Sequence, residues 1–190
     1  MKKIPPLFLI LFSVFLGVAQ SPAEEVYFLR GGFNVFSLGM NDMAEELRAK
    51  GIRASAHPSG AWKRIADDII RRSREDEVSR PIIFLGHSLG ANVASKFANR
   101  LGEHGIAVDL VIGFDATNRR VFTKGARKVI HYQSSNMGAY VKGPGFRGSL
   151  VEVDVSKYGA NHITIEKNQD VRELAMKAVH TTLRRRRICQ

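Results

Sequence analysis

Apolar residues follow two rhythms along this chain: short unbroken runs, and stretches in which they recur every three or four positions. Val26-Tyr27-Phe28-Leu29 is a short run that ends in Arg30-Gly31-Gly32-Phe33. Met43, Ala44 and Leu47 then recur at helical spacing within Met40 to Lys50, and Gly51 is a natural helix stop. Ile52 to Ala56 reads as a weak second strand. Ala61 to Arg74 reads as a helix that places Trp62, Ile65, Ala66, Ile69 and Ile70 on one face. Pro81 opens Ile82-Ile83-Phe84-Leu85, which suits a buried strand, and Ala91 to Leu101 resumes helical spacing through Val93, Ala94, Phe97, Ala98 and Leu101. Val108 to Phe114 is almost wholly apolar, as a strand buried on both faces must be. Val129 to Gln133 is another short strand, Ser134 to Gly148 is glycine-rich with almost no helical pattern, and Leu150 to Val155 alternates like a half-exposed edge strand. Val171 to Leu183 closes the pattern as an amphipathic helix. Strands alternating with helices predict an α/β fold, a three-layer α/β/α sandwich around a mainly parallel sheet.

The most informative junction is Gly86-His87-Ser88-Leu89-Gly90, where a strand turns directly into a helix. Such a turn strains the residue at its apex and leaves no room for bulky neighbours, so Gly86, Gly90 and Ala91 supply clearance. Ser88 is thereby presented clear of the surface, with the amide of Leu89 at the helix start facing the space where an oxyanion would form. The five residues match G-x-S-x-G, and the chain resembles the α/β-hydrolases, in particular small lidless lipase, esterase and thioesterase members. The resemblance implies a minimal α/β-hydrolase fold. It also implies a second oxyanion donor in the loop after an early strand, here Gly32 or Phe33.

A serine hydroxyl needs a base to take its proton and a carboxylate to orient that base. His162 lies in Tyr158-Gly159-Ala160-Asn161-His162, after the last strand, where the resembled family carries its base. Among the other histidines, His87 is inside the elbow and turns away by alternation, His104 and His180 belong to helices, and His131 lies within a strand. His57, in an earlier loop, is the hardest of them to set aside. For the acid, the family most often uses the loop after the strand that follows Phe114, but this chain has Ser134-Ser135-Asn136 there. Some lipase-like members carry it one strand earlier, which points to Asp115, with Asp154 in reserve. The order Ser88, Asp115, His162 is the chain order of the family. Met137, Tyr140, Val141 and Phe146 in the glycine-rich segment are expected to wall an acyl pocket.

Composition adds compartment and partners. At 190 residues, 44% hydrophobic and 25% charged, the chain has the make-up of one globular domain. Met1-Lys2-Lys3, the apolar run Leu7 to Val18 and the small residues Gly17, Ala19, Ser21 and Ala23 read as a secretory signal over about residues 1–23. A single domain with a basic C-terminal tail is expected over 24–190. A periplasmic or secreted protein is therefore expected, with an uncleaved membrane anchor as the alternative. Cys189 is the only cysteine, so no intrachain disulfide forms. No metal-ligand spacing stands out, and neither a metal nor a cofactor is expected. The net charge of +11 is mostly dispersed, which argues against a nucleic-acid partner, although Arg184, Arg185, Arg186 and Arg187 form a run suited to weak contact with an anionic membrane.

Three classes of function remain: a secreted serine hydrolase for ester or thioester bonds, a silent binding protein on the same scaffold, and a basic protein that holds an anionic envelope polymer. The third predicts binding to anionic vesicles that falls steeply with salt and is lost when the chain stops before Arg184. Salt-independent binding in co-sedimentation would refute it.

Overall fold

The computed structural model describes residues 25–32 and 38–188, with side chains as far as Arg185. The expected signal segment, Phe33, Cys189 and the side chains of Arg186 and Arg187 lie outside the described residues. In chain order the elements are β1 (Glu25–Arg30), α1 (Leu38–Ala49), β2 (Ala54–Pro58), α2 (Trp62–Ser73), β3 (Ile82–His87), α3 (Leu89–Asn92), α4 (Ala94–Glu103), β4 (Leu110–Phe114), β5 (Arg120–Phe122), β6 (Lys128–Gln133), β7 (Tyr140–Lys142), β8 (Ser149–Asp154) and α5 (Gln169–Ile188).

Six strands form one sheet in the order β2-β1-β3-β4-β6-β8, every neighbouring pair parallel. Its central strands are apolar on both sides because both sides are covered. Ile83, Leu85, Leu110, Ile112 and Phe114 pack under α1 and α5 with Met40, Met43, Leu47, Val171, Ala175 and Val179. Ile82, Phe84 and Val111 face the other way, against Ile65 and Ile69 of α2 and Phe97 and Leu101 of α4. The result is the three-layer α/β sandwich that the periodicity predicts, with all strand C-termini on one rim.

Three local expectations change. The second strand starts at Ala54 rather than Ile52, because the Ile52 amide donates to the Leu47 carbonyl at 3.0 Å and closes α1 behind Gly51, whose φ is 75°. The helix after Ser88 is two pieces, α3 and α4, that meet at Val93. The glycine-rich segment contains β7, which pairs in parallel with β5 as a separate two-stranded sheet.

This small sheet corrects the expected acyl wall. Tyr140 is not a surface residue. It is fully buried, its hydroxyl donates to the Ala91 carbonyl at 2.6 Å, and its ring lies across β4, where a Cβ on Gly113 would come within 2.3 Å of the hydroxyl oxygen. A glycine in the middle of a buried strand is explained by that approach. Phe146 packs half-buried against Phe122, ring centroids 6.0 Å apart. Val141 is half-buried in β7, paired with Val121, so of the four expected wall residues only Met137 is exposed.

The first strand is anchored by an ion pair. The Glu25 carboxylate is fully buried and receives two bonds from the Arg72 guanidinium, at 2.5 and 2.9 Å, and one from the Tyr27 hydroxyl at 2.6 Å. Burial alone would raise its pKa, but the hydrogen bonds from Arg72 and Tyr27 outweigh it and hold the carboxyl below its ordinary value. A depressed folded-state pKa means that the contribution is complete above the unfolded carboxylate's pKa and is lost as pH falls through the folded one. Arg72→Met is expected to destabilise the fold by about 3–5 kcal/mol at neutral pH, since it strands a buried charge. Urea midpoints should show the gap to wild type narrowing on acidification below about pH 4; a gap that does not move would mean that the pair contributes no electrostatic stability.

Candidate active site

Ser88 sits between β3 and α3 with φ 54° and ψ −115°, a backbone state that persists only where its surroundings enforce it. Here its N–H donates to the Phe114 carbonyl at 3.0 Å and its carbonyl accepts from the Asn92 amide at 2.9 Å. The flanking glycines are sterically required. A Cβ on Gly86 would lie 2.5 Å from the Gly90 backbone, and one on Gly90 would lie 2.0 Å from the Leu29 carbonyl oxygen. Leu89 opens α3, so its amide has no acceptor within the helix. The glycine turn after β1 faces this point, for a Cβ on Gly32 would touch Cδ1 of Leu89 at 3.4 Å.

The three residues expected to carry chemistry meet at the rim. Nε2 of His162 lies 3.1 Å from Oγ of Ser88. Its Nδ1 lies 3.6 Å from Oδ2 of Asp115, an ion-pair separation but longer than a hydrogen bond, and that nitrogen is buried without an acceptor among the described residues. Asp115 is buried at the end of β4 with φ 45°. Its carboxylate accepts the Ser134 amide at 2.7 Å and also the Ser134 hydroxyl. The serine that stands where a carboxylate was looked for thus serves the carboxylate one strand earlier.

Two positioning groups were not anticipated. His87 does not turn away from the site: its Nε2–H donates to the His162 carbonyl at 2.8 Å, and the two rings lie 5.2 Å apart. Burial pushes its pKa down to about 4 although the His162 carbonyl favours the charged form, so the ring is neutral at pH 7. Asn92 of α3 accepts the Thr117 and Asn118 amides at 3.0 and 3.2 Å on its carbonyl and donates to the Thr117 hydroxyl at 2.6 Å. The short helix behind the serine therefore also holds the turn behind the aspartate. Neither residue type carries a periodic or motif signal beyond its place beside the elbow.

The alternatives are engaged elsewhere. Asp154 is exposed and accepts the Ser156 amide at 2.8 Å, bonds that hold its carboxyl below the usual range. It lines a polar cavity of about 160 Å³ with Gln133, Ser134, Ser135, Asn136 and Ser156. His57 is hydrogen-bonded to Ser55 at 2.8 Å. Among the described residues no three His, Cys, Asp or Glu side chains converge as a metal site, and no helix is long and apolar enough to cross a membrane. Large apolar side chains do stand exposed beside the site: Leu89 follows Ser88 and is 47% exposed, and Ile163 follows His162 and is 57% exposed.

Residues 41–133 match the family model described as Thioesterase domain. No curated protein and no solved structure matches the chain. The matched stretch runs from α1 to the end of β6, so it takes in Ser88 and Asp115 and ends before His162. That match coincides with the strand, elbow and helix of a parallel sheet covered on both faces, so the chain is similar to thioesterase domains over this stretch and has the architecture of a minimal α/β-hydrolase.

Proposed function

We propose that this protein is a serine hydrolase that cleaves carboxylic thioesters or esters by two-step acyl transfer. The observation that carries the reading is the 3.1 Å approach of His162 Nε2 to Ser88 Oγ at a strained strand-to-helix turn. In the first step Nε2 takes the hydroxyl proton as Oγ adds to the carbonyl carbon. The oxyanion is held by the Leu89 amide together with an amide of the turn at Gly32 or Phe33. His162 returns the proton to the departing thiolate or alkoxide, leaving an acyl-serine. Water, deprotonated by His162, then adds to that acyl group, and collapse releases the carboxylic acid and restores the serine.

Asp115 orients the imidazole and stabilises its protonated form. At 3.6 Å its link to Nδ1 is longer than the working contact, which closes as charge develops on the ring. The exposed side chains of Leu89, Ile163 and Met137 give the acyl chain an apolar rim beside the triad. Residues 1–23 act as the secretory signal in this reading, and the basic end from Arg184 to Arg187 adds weak attraction to anionic surfaces. The family match favours a thioester over an oxygen ester, because it names thioesterases.

A fluorophosphonate probe is expected to label the wild type and not Ser88→Ala. Hydrolysis of an acyl thioester and of p-nitrophenyl esters is expected to fall in Asp115→Asn by about 10³–10⁴ in kcat, while Asp154→Asn stays near wild type. Folded protein that takes no label would refute the enzyme; full activity in Asp115→Asn would refute the acid.

A further inference from the structure

Behind the turn that carries Asp115 lies a polar cluster that the proposed reaction does not use. His131 is fully buried in β6, directly beside Glu152 of β8 in the strand register. Its Nδ1 lies 2.9 Å from Oε2 of Glu152, and its Nε2 lies 3.0 Å from the amide nitrogen of Ala116. The Gln133 amide nitrogen also lies 3.1 Å from Nδ1, but it donates to the Gly138 carbonyl at 2.7 Å. A backbone amide can only donate, so Nε2 must accept, and the proton of the neutral ring then sits on Nδ1, where the Glu152 carboxylate accepts it. The other carboxylate oxygen of Glu152 accepts the Tyr140 amide at 2.6 Å. The Tyr140 ring stacks on His131 with centroids 4.1 Å apart and 14° between planes, and its hydroxyl ends on Ala91 of α3.

Ala116 is the residue after Asp115. The Asp115 turn has a left-handed φ that costs a non-glycine residue free energy, so it needs external support. Its consecutive amides are all taken: Asp115 by the Tyr132 carbonyl at 2.9 Å, Ala116 by His131, and Thr117 and Asn118 by Asn92. Of these acceptors, the imidazole nitrogen alone depends on a tautomer, and Glu152 selects that tautomer.

We infer that His131 is a positioning residue for the acid: through its Nε2 on the Ala116 amide, and with Glu152 holding the proton on Nδ1, it sets the turn that aims Asp115 at His162. The inference rests on the assignment of Asp115 as the acid. It also gives Tyr140 its place, as the strut that joins this cluster to the helix carrying the nucleophile.

Two substitutions separate the two ends of the ring. His131→Gln keeps an acceptor near the position of Nε2, whereas His131→Asn keeps only a donor near Nδ1. His131→Asn is expected to lower kcat about 10–100-fold with KM little changed, a loss typical of groups that orient a reacting side chain, and His131→Gln is expected to recover most of it. In the Asp115→Asn background His131→Asn should cost nothing more, because it acts through the missing carboxylate. Equal losses in the two variants, or losses that multiply with Asp115→Asn, would overturn the positioning role while leaving the acid in place. Full activity in Asp115→Asn would overturn both. Should His131→Asn fail to fold, the wild-type tautomer decides: long-range proton–nitrogen NMR is expected to show His131 protonated on Nδ1, and a proton on Nε2 would overturn the inference.

Discussion

The structure depends on one close approach. Where α3 leaves β3, the backbone of Gly90 sits so near β1 that a single added carbon would lie 2.0 Å from the Leu29 carbonyl oxygen. Without that approach the helix could not rest on the sheet while Ser88, the residue before it, projected a hydroxyl above the rim. The strained dihedrals of Ser88 are the other half of the same constraint: two bonds, to Phe114 and from Asn92, hold a conformation that a free chain would leave. Position and exposure of the hydroxyl thus follow from backbone packing and not from any contact of the serine side chain.

Around this point each supporting residue serves two elements. Asn92 belongs to the helix behind the serine yet saturates the turn behind the aspartate. His87, the last residue of β3, fixes the backbone of the loop that brings in His162. Ser134, directly after β6, satisfies Asp115. In the low-dielectric rim of the sheet an unmade hydrogen bond is expensive, so networks of this kind specify one geometry. The looser contact is the one between Asp115 and His162, at 3.6 Å.

The parts of the fold legible in the sequence are those with a strong local period. The buried runs at 82–87 and 110–114, the amphipathic helices α1, α2 and α5, and the glycine-flanked serine all follow from patterning that tertiary structure had no reason to override. The edge position of β8 was legible in its alternation, but its burial does not follow that alternation: Val151 stands exposed while Glu152 reaches inward to His131. The rest was hidden because its cause is distant in sequence. Three residues of β7 show no period, and they form a strand only because β5 is there to pair with them. Tyr140 sits amid glycines and looks like a pocket residue, but Gly113, 27 residues earlier, makes room for it inside. The position of His131 within a strand was readable; its two partners, on β8 and on the turn after β4, were not.

The all-parallel order of the main sheet has a kinetic consequence. No two neighbouring strands in it are joined by a hairpin, so every pairing requires the chain to close a long loop before any ladder bond forms. Ser88 and His162, whose side chains meet at 3.1 Å, are 74 positions apart. A chain of this topology folds through distant contacts and correspondingly slowly, and Ser88 and His162 come together only after four strands have found their order. Assembly of the candidate site in such a molecule is a late event of folding, and an incompletely folded population would lack it.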